Sequence, residues 1–412
     1  MQYGLIGEHL GHSFSAPIHE RISGEPYELK ELAPEELDAF MRAREFRAIN
    51  VTIPYKQAVI PYLDEISDTA REIGAVNTIV NRNGRLTGDN TDCEGLNRLI
   101  CRVCPDIRGK KTLVLGTGGT SLTAVYTARQ LGADPVLRVS RTAREGALTY
   151  EQAIREHRDA RILINTTPCG MFPKDEAAPV SIADFPAAEA VVDVVYHPLR
   201  TKLVTEARQR GIPAEGGMYM LVAQAVRAAE IFRDRTCDPA LTDRIYRGMM
   251  RERENIVLIG MPGSGKSAVS AILGERLTRP VIDTDKRIVE QAGMEITEIF
   301  RLYGEPYFRD LESRVIREAA AETGVIISTG GGAVLREDNT AALRRNGRIF
   351  WLDRPEEALI PSDDRPLADN REKIRALYHW RRPIYQAAAD EVIPVHGTAE
   401  DAAKDLEGRW QN

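Results

Sequence analysis

The sequence predicts an α/β protein of more than one domain, and three observations carry that prediction. Two stretches read as apolar strand, glycine-bearing turn and helix: Lys111–Gly116 with the turn Gly116-Thr117-Gly118-Gly119-Thr120-Ser121, and Ile256–Ile259 with the loop Gly260-x-x-x-x-Gly265-Lys266-Ser267. The second is a phosphate-binding loop, whose glycines let backbone N–H groups approach phosphate oxygens. Such a loop normally follows the first strand of its domain, yet about 250 residues precede this one. At 412 residues the chain also exceeds one ordinary core.

The bulk properties narrow the function classes. Fifty-five basic and 61 acidic residues leave a formal charge of −6 with no basic block, which argues against nucleic acid as the main partner. The N-terminus shows no basic region followed by a long apolar run, so no signal peptide is expected. No stretch approaches the ~18–20 apolar residues of a membrane span. Cys101-x-x-Cys104 has metal or redox spacing, but no second pair complements it. Free thiols in a reducing cytoplasm are therefore expected.

Residues 1–101 mix short strands and helices. Gln2–Gly7 and Ala48–Ile53 read as strands. Pro17–Ile22, Pro34–Arg44 and Asp68–Gly74 read as helices, and Ala75–Val80 is a strand before the turn Asn83-Gly84. Polar residues gather at the ends of these elements. Ser13 and Ser15 share a loop, Asn50, Thr52 and Lys56 lie at or past a strand end, Asn77 interrupts an apolar strand, and Asp92 closes the loop Gly88–Asp92. Singly, each is ordinary turn chemistry, with Asp92 as a helix N-cap. Together they supply the hydroxyl, amide, ammonium and carboxylate groups that a small polyhydroxylated acid needs.

Residues 102–215 form a βαβ unit with a dinucleotide fingerprint in which Ser121 replaces the third glycine. The second strand, Pro135–Val139, ends in Ser140-Arg141-Thr142, with Arg144 following. Arginine there suits a 2′-phosphate, so NADP is favoured over NAD. A strand at Arg161–Ile164 precedes Asn165-Thr166-Thr167-Pro168, and Val191–Tyr196 is another strand. Gly216–Gln224 opens an apolar helix running to about Phe232. A glutamine on such a face needs a partner when buried, so Gln224 is a ligand candidate. Leu241–Arg253 is a helix leading to the second half.

Past the phosphate loop, Lys266 is suited to the outer phosphates and Ser267 to magnesium. Val281–Asp285 reads as a strand ending in two acids, Asp283 and Asp285. Ile296–Phe300 and Gly304–Ile316 read as helices carrying Arg309 and Glu312, whose bland reading is an exposed i,i+3 pair. Val325–Ser328 is a buried strand before Gly330-Gly331-Gly332. Arg365 lies in a loop, and Arg381-Arg382-Pro383-Ile384-Tyr385 falls in or after a late helix.

The segments YGLIGEHLGHSFSAPIH, NVTIPYK, GAVNTIV and GDNTDCEG closely resemble the shikimate dehydrogenase family. The resemblance implies a substrate-binding domain over 1–101, completed by 216–250, and a Rossmann NADP domain over 102–215. It implies that Ser13 and Ser15 hold the substrate carboxylate, that Thr52, Asn77 and Asp92 bind ring hydroxyls, and that Lys56 and Asp92 form the catalytic pair. Tyr196 and Gln224 would also reach substrate. Asp68, Gly116, Thr117, Gly118, Gly119, Thr120, Ser140, Arg141, Thr142, Val194 and Gly217 would line NADP(H). The family often carries a basic residue where this chain has Glu145; here Arg144 lies one place earlier.

Residues 254–412 resemble shikimate kinase through the phosphate loop, Asp-x-Asp, FR-x-x-E, Gly-Gly-Gly, RPL and R-x-P-x-Y. A P-loop NTPase-type α/β domain is implied. ATP would meet Gly263, Ser264, Gly265, Lys266, Ser267, Ala268 and Arg365, and Ser267 with Asp283 would hold Mg2+. Asp285 would bind substrate hydroxyls and act as base, Lys266 would act on the transferred phosphoryl, and Arg309, Gly331 and Arg381 would grip shikimate. The joint expectation is a bifunctional enzyme acting on 3-dehydroshikimate and then shikimate, with a homodimer as a possible assembly. The alternatives are a dehydrogenase preferring quinate or NAD, which Ser15 and Arg141 oppose, and a non-catalytic sensor, which intact Lys56, Asp92, Lys266 and Asp285 oppose.

Overall fold

A computed structural model describes residues 1–11, 13–359 and 371–411. The chain divides into two compact units, Met1–Gly248 and Met249–Asn412. The first unit holds two sheets. The strands of its first sheet are β1 (Tyr3–Gly7), β2 (Glu28–Glu31), β3 (Ala48–Val51), β4 (Glu65–Ile66), β5 (Thr78–Arg82) and β6 (Arg85–Asp89). Their order is β2-β1-β3-β5-β6-β4, with β5 antiparallel to β3 and β6 and the other pairings parallel. The second sheet is wholly parallel: β7 (Thr112–Leu115), β8 (Val136–Ser140), β9 (Leu148–Thr149), β10 (Ile162–Asn165), β11 (Ala190–Asp193) and β12 (Ala214–Glu215), ordered β12-β11-β10-β7-β8-β9.

The helices of this unit are α1 (Ser15–Ser23), α2 (Leu37–Ala43), α3 (Asp68–Ile73), α4 (Thr91–Val103), α5 (Gly119–Gln130), α6 (Tyr150–Glu156), α7 (Lys202–Gln209) and α8 (Met218–Arg233); α9 (Leu241–Arg253) runs into the second unit. In the second sheet β7 is flanked by β8 and β10, so its carboxyl end is the switch point where open α/β sheets bind ligands. The glycine turn sits there. Buried Leu113, Val139, Leu163, Val191 and Leu203 pack one face of that sheet.

The second unit is one parallel sheet of β13 (Asn255–Ile259), β14 (Val281–Asp283), β15 (Ile326–Ser328), β16 (Gly347–Asp353) and β17 (Glu391–Pro394), ordered β14-β15-β13-β16-β17. Its helices are α10 (Lys266–Leu277), α11 (Thr284–Ala292), α12 (Ile296–Ala321), α13 (Glu337–Asn346), α14 (Arg371–Ala388) and α15 (Ala399–Gln411). Alternate residues of β13 feed two cores, Val257 and Ile259 on one face, Ile256 and Leu258 on the other. The central strand therefore delivers the phosphate loop to the switch point of this sheet.

Several local expectations shift. Asn90, not Asp92, caps α4, its side chain accepting from Cys93 N; Asp92 sits in the first turn. Asn77 precedes β5 rather than interrupting it. The strand at Val281 stops at Asp283, because that side chain caps α11 and starts a helix at Thr284. The two helices expected over 296–316 join across a kink at Gly304, which has φ 79° and ψ 172°.

Candidate active sites

In the first unit, Lys56 and Asp92 meet although 36 residues separate them. Lys56 Nζ donates to Asp92 Oδ2 at 2.5 Å. The backbone of Asn77 sets this up. Its carbonyl accepts from Val51 N at 2.8 Å and its N–H donates to Asp89 O at 3.0 Å, while Val76 N donates to Lys56 O at 2.8 Å. The segment after β3 is thereby laced to the start of α4. Asn77 Oδ1 accepts from Thr91 N at 2.7 Å and from Thr78 Oγ1 at 3.0 Å, and Nδ2 donates to Thr91 Oγ1 at 3.1 Å. Only one Nδ2 proton is without a partner among the described residues, so a substrate contact by Asn77 has one donor to use.

Gln224 joins the same cluster. Thr91 Oγ1 lies 3.4 Å from Gln224 Oε1, and Gln224 Nε2 donates to Leu221 O at 2.9 Å. The contact depends on close helix packing: a Cβ at Gly95 of α4 would fall 2.7 Å from Met220 O and 2.9 Å from Gln224 Cβ. Glycine is what lets α8 approach. Asn50, a polar candidate in β3, is committed to the fold: it accepts from Tyr27 Oη at 2.7 Å and donates to Asn77 O and Thr78 Oγ1.

Ser13 Oγ accepts from Ser15 N at 3.2 Å, and Ser15 opens α1. Tyr196 packs edge-on against Phe14 at 5.4 Å, which brings it to the Ser13–Ser15 loop, and burial pushes its phenol above the usual range. Thr52 follows β3, its N–H donating to Ile6 O at 3.0 Å. Asp68 is an outlier. It begins α3 with an exposed side chain paired to Arg71.

At the glycine turn, α5 starts at Gly119, with Gly118 as N-cap. A Cβ at Gly118 or Gly119 would meet nothing within 4 Å, so the turn is open above the helix N-terminus, as a pyrophosphate requires. Ser121 folds its hydroxyl back onto Gly118 O at 2.6 Å and is fully buried, which accounts for a serine at the third glycine position. Ser140 is buried and its Oγ accepts from Thr142 N at 3.3 Å. Arg141 and Arg144 are exposed, and Arg144 Nη1 reaches Thr117 Oγ1 at 3.5 Å across the turn. Val194 N donates to Asn165 O at 3.0 Å, and Gly217 N to Val195 O at 2.8 Å.

The sequence reading missed Asp193. Fully buried at the end of β11, it accepts from Asn165 Nδ2 at 2.9 Å, Val195 N at 3.0 Å and Thr201 Oγ1 at 2.7 Å. Burial outweighs these donors and raises its carboxyl to about 6. An acid inside VVDVVY was the available signal. Its bonds fix the segment that carries Val194 and Tyr196.

In the second unit, Lys266 Nζ spans the phosphate loop to Gly260 O at 2.9 Å and Met261 O at 3.0 Å. Gly263 and Ser264 lie within that loop, and Ala268 is in the first turn of α10. Ser267 Oγ donates to Asp283 Oδ2 at 3.1 Å. A hydroxyl beside a carboxylate suits a hard cation completed by phosphate and water oxygens. No group of three or more His, Cys, Asp or Glu able to hold a metal occurs among the described residues.

The Gly330–Gly332 turn is the hub of the remaining candidates. A Cβ at Gly330 would lie 2.5 Å from Asp285 Oδ1 and 3.0 Å from Glu312 Oε1, and one at Gly332 would overlap the Arg309 guanidinium. Arg381 Nη1 donates to Gly331 O at 3.1 Å, and Tyr385 Oη to the same oxygen at 2.5 Å. Arg309 Nη1 donates to Glu312 Oε2 at 2.7 Å, and Nη2 to Glu305 Oε1 at 3.0 Å. The pair is not an exposed one: Arg309 is 8% and Glu312 1% exposed. Burial pushes the Glu312 carboxyl up against the pull of Arg309. Arg365 lies outside the described residues.

The first unit thus has the fold and groups of a dinucleotide-dependent oxidoreductase for a small polar substrate, and the second those of a phosphate-loop kinase. Comparison with known proteins is specific. Residues 5–79 match the family model for the shikimate dehydrogenase substrate binding domain, and residues 262–407 match that for shikimate kinase. Shikimate dehydrogenase (NADP(+)) of Clostridium perfringens (strain SM101 / Type A) is 34% identical over 262 residues, which is 59% of this chain and 96% of that protein. The crystal structure of shikimate dehydrogenase 1 from Peptoclostridium difficile is 33% identical with a TM-score of 0.55, covering 60% of this chain and 98% of that one. Shikimate 5-dehydrogenase of Thermus thermophilus, in complex with NADP(H) and shikimate, is 31% identical with a TM-score of 0.54, covering 60% of this chain and 99% of that one. The chain belongs to the shikimate dehydrogenase family over its first unit and carries a shikimate kinase domain in its second. It is a bifunctional enzyme of the shikimate pathway that uses NADP and ATP.

Proposed function

We propose that the first unit reduces 3-dehydroshikimate to shikimate and that the second phosphorylates shikimate to shikimate 3-phosphate. The observation that carries the first assignment is the Lys56–Asp92 contact at the start of α4, where the adjacent Thr91 ties in Asn77 and Gln224. NADPH supplies the hydride. Hydride addition builds negative charge on the ketone oxygen. An ammonium within hydrogen-bond reach stabilises that charge and delivers the proton, and the carboxylate orients it. Ser13 and Ser15 supply hydroxyl donors for the substrate carboxylate, while Arg141 and Arg144 favour the 2′-phosphate of NADP over NAD.

For the second unit, ATP with Mg2+ supplies the phosphoryl group. Arg309 and Arg381 converge on the Gly330–Gly332 turn, and planar guanidinium groups suit a carboxylate. Asp285 beside Gly330 is placed to accept the proton of the attacking hydroxyl. Lys266 neutralises phosphate charge, and Ser267 with Asp283 holds the cation. Among the described residues no helix is long and apolar enough to cross a membrane. The reading implies a cytoplasmic enzyme of two small-molecule reactions.

The experiment is a coupled assay of the purified chain with 3-dehydroshikimate, NADPH and Mg-ATP. Shikimate 3-phosphate is the expected product. Lys56→Ala should abolish reduction alone and Lys266→Ala phosphorylation alone. Absence of turnover in both half-reactions by the unmodified chain would reject the reading.

A further inference from the structure

Strand β16 ends beside the phosphate loop. Ile259 of β13 is in register with Trp351, and a Cβ at Gly260 would fall 2.8 Å from Leu352 O. The residues that follow β16 therefore emerge at the loop itself, and the first of them is Arg354. Its Nη1 lies 3.9 Å from where a Cβ of Gly265 would stand, immediately before Lys266 and the start of α10. Its Nε is buried and has no hydrogen-bond partner among the described residues.

The neighbouring carboxylates do not answer it. Asp353 accepts from Tyr378 Oη at 3.4 Å and pairs with Arg382 at 3.5 Å. Glu356 pairs with His379 at 3.3 Å and with Arg375 at 3.5 Å. Arg354 makes no ion pair among the described residues. A half-buried guanidinium with an orphaned donor is costly unless an anion completes it. The described residues that follow, 355–359 (PEEAL), offer no other basic residue, and the next arginine, Arg365, lies outside the described residues. Arg354 is the cation that β16 brings to this edge of the loop.

We propose that Arg354 binds ATP, its guanidinium contacting the phosphate chain on the Gly265 side of the loop as a second cation beside Lys266. The proposal rests on the reading of the second unit as an ATP-dependent kinase. It assigns the contact to a residue outside the phosphate-loop motif.

The test is equilibrium titration of the full chain with Mg-ATP, comparing the unmodified protein with Arg354→Met, together with KM for shikimate in each. Loss of a charge-assisted contact should weaken ATP binding about tenfold or more and leave KM for shikimate within about twofold. Equal ATP affinity in the two proteins would overturn the proposal while leaving the kinase reading intact. A parallel loss of ATP and shikimate affinity with earlier unfolding of the second unit would also overturn it, as a packing role. Failure of the unmodified chain to bind ATP would sink both.

Discussion

Lys56 Nζ and Asp92 Oδ2 lie 2.5 Å apart, and both side chains keep some exposure, 25% and 14%. A buried pair would have been closed to substrate, and a fully exposed one would have been screened by water. Lys56→Met should reduce the dehydrogenase kcat by about 10²–10⁴ while phosphorylation of shikimate is unchanged. Asp92→Asn keeps an oxygen near the ammonium and should cost less. NADPH absorbance reads both variants. A larger loss in Asp92→Asn than in Lys56→Met would contradict the division of roles.

Arg144 reaches Thr117 across the glycine turn, and Arg141 stands free of that contact. The acid at 145 cannot supply a cation to a 2′-phosphate, and the proposed function gives that part to Arg144. Arg144→Ala should raise KM for NADPH by about tenfold and leave KM for NADH nearly unchanged, since only NADPH carries the 2′-phosphate. Equal effects on the two cofactors would show that Arg144 merely holds the turn.

Glu312 is buried against Arg309, with Oε1 facing Gly330 and lacking a hydrogen-bond partner among the described residues. Truncating one member of a buried pair leaves the other charge uncompensated. Glu312→Ala should destabilise the second unit by about 3–5 kcal/mol, with Glu305 limiting the loss, and raise KM for shikimate. All three tryptophans, Trp351, Trp380 and Trp410, lie in that unit, so their fluorescence in urea follows it selectively. An unchanged midpoint would refute the structural role.

The sequence was most informative where chemistry is local. Glycine turns after apolar strands located both switch points, because turn, strand and helix signals sit within a few residues of one another. The cap of α4 was misplaced by two residues because Asn90 and Asp92 are equally competent caps; in the fold Asn90 is held by Nδ2 donating to Ala75 O at 2.9 Å, while Asp92 is taken by Lys56. Thr91 as the bridge to Gln224 was illegible for a different reason. It depends on α8 packing against α4 over a separation of 133 residues. The burial of Arg309 and Glu312 likewise follows from the Gly330–Gly332 turn folding over α12, which no helical spacing reveals.

Two buried groups give the first unit opposite responses to acid. His19 stacks on Tyr27 at 4.0 Å and leaves Nε2 without a partner among the described residues, and burial pushes its pKa down to about 3. In the unfolded chain it protonates near 6.5. As pH falls from about 6.5 toward 3 the unfolded state gains a proton that the folded state refuses, and stability falls by up to about 5 kcal/mol. Asp193 works the other way. Its folded pKa is raised from 3.8 to about 6, so its contribution is fully present below the unfolded value and is lost as pH rises from about 4 to 6, by about 3 kcal/mol. His19→Phe keeps the aromatic stacking and removes the loss that His19 contributes, so it should lose less stability than the unmodified chain on acidification from pH ~6 to ~4. Asp193→Asn should steepen the acid loss over the same window. Urea unfolding followed by far-UV circular dichroism, with the tryptophan-reported transition of the second unit subtracted, measures both slopes. Parallel pH profiles for the two variants would refute the assignment.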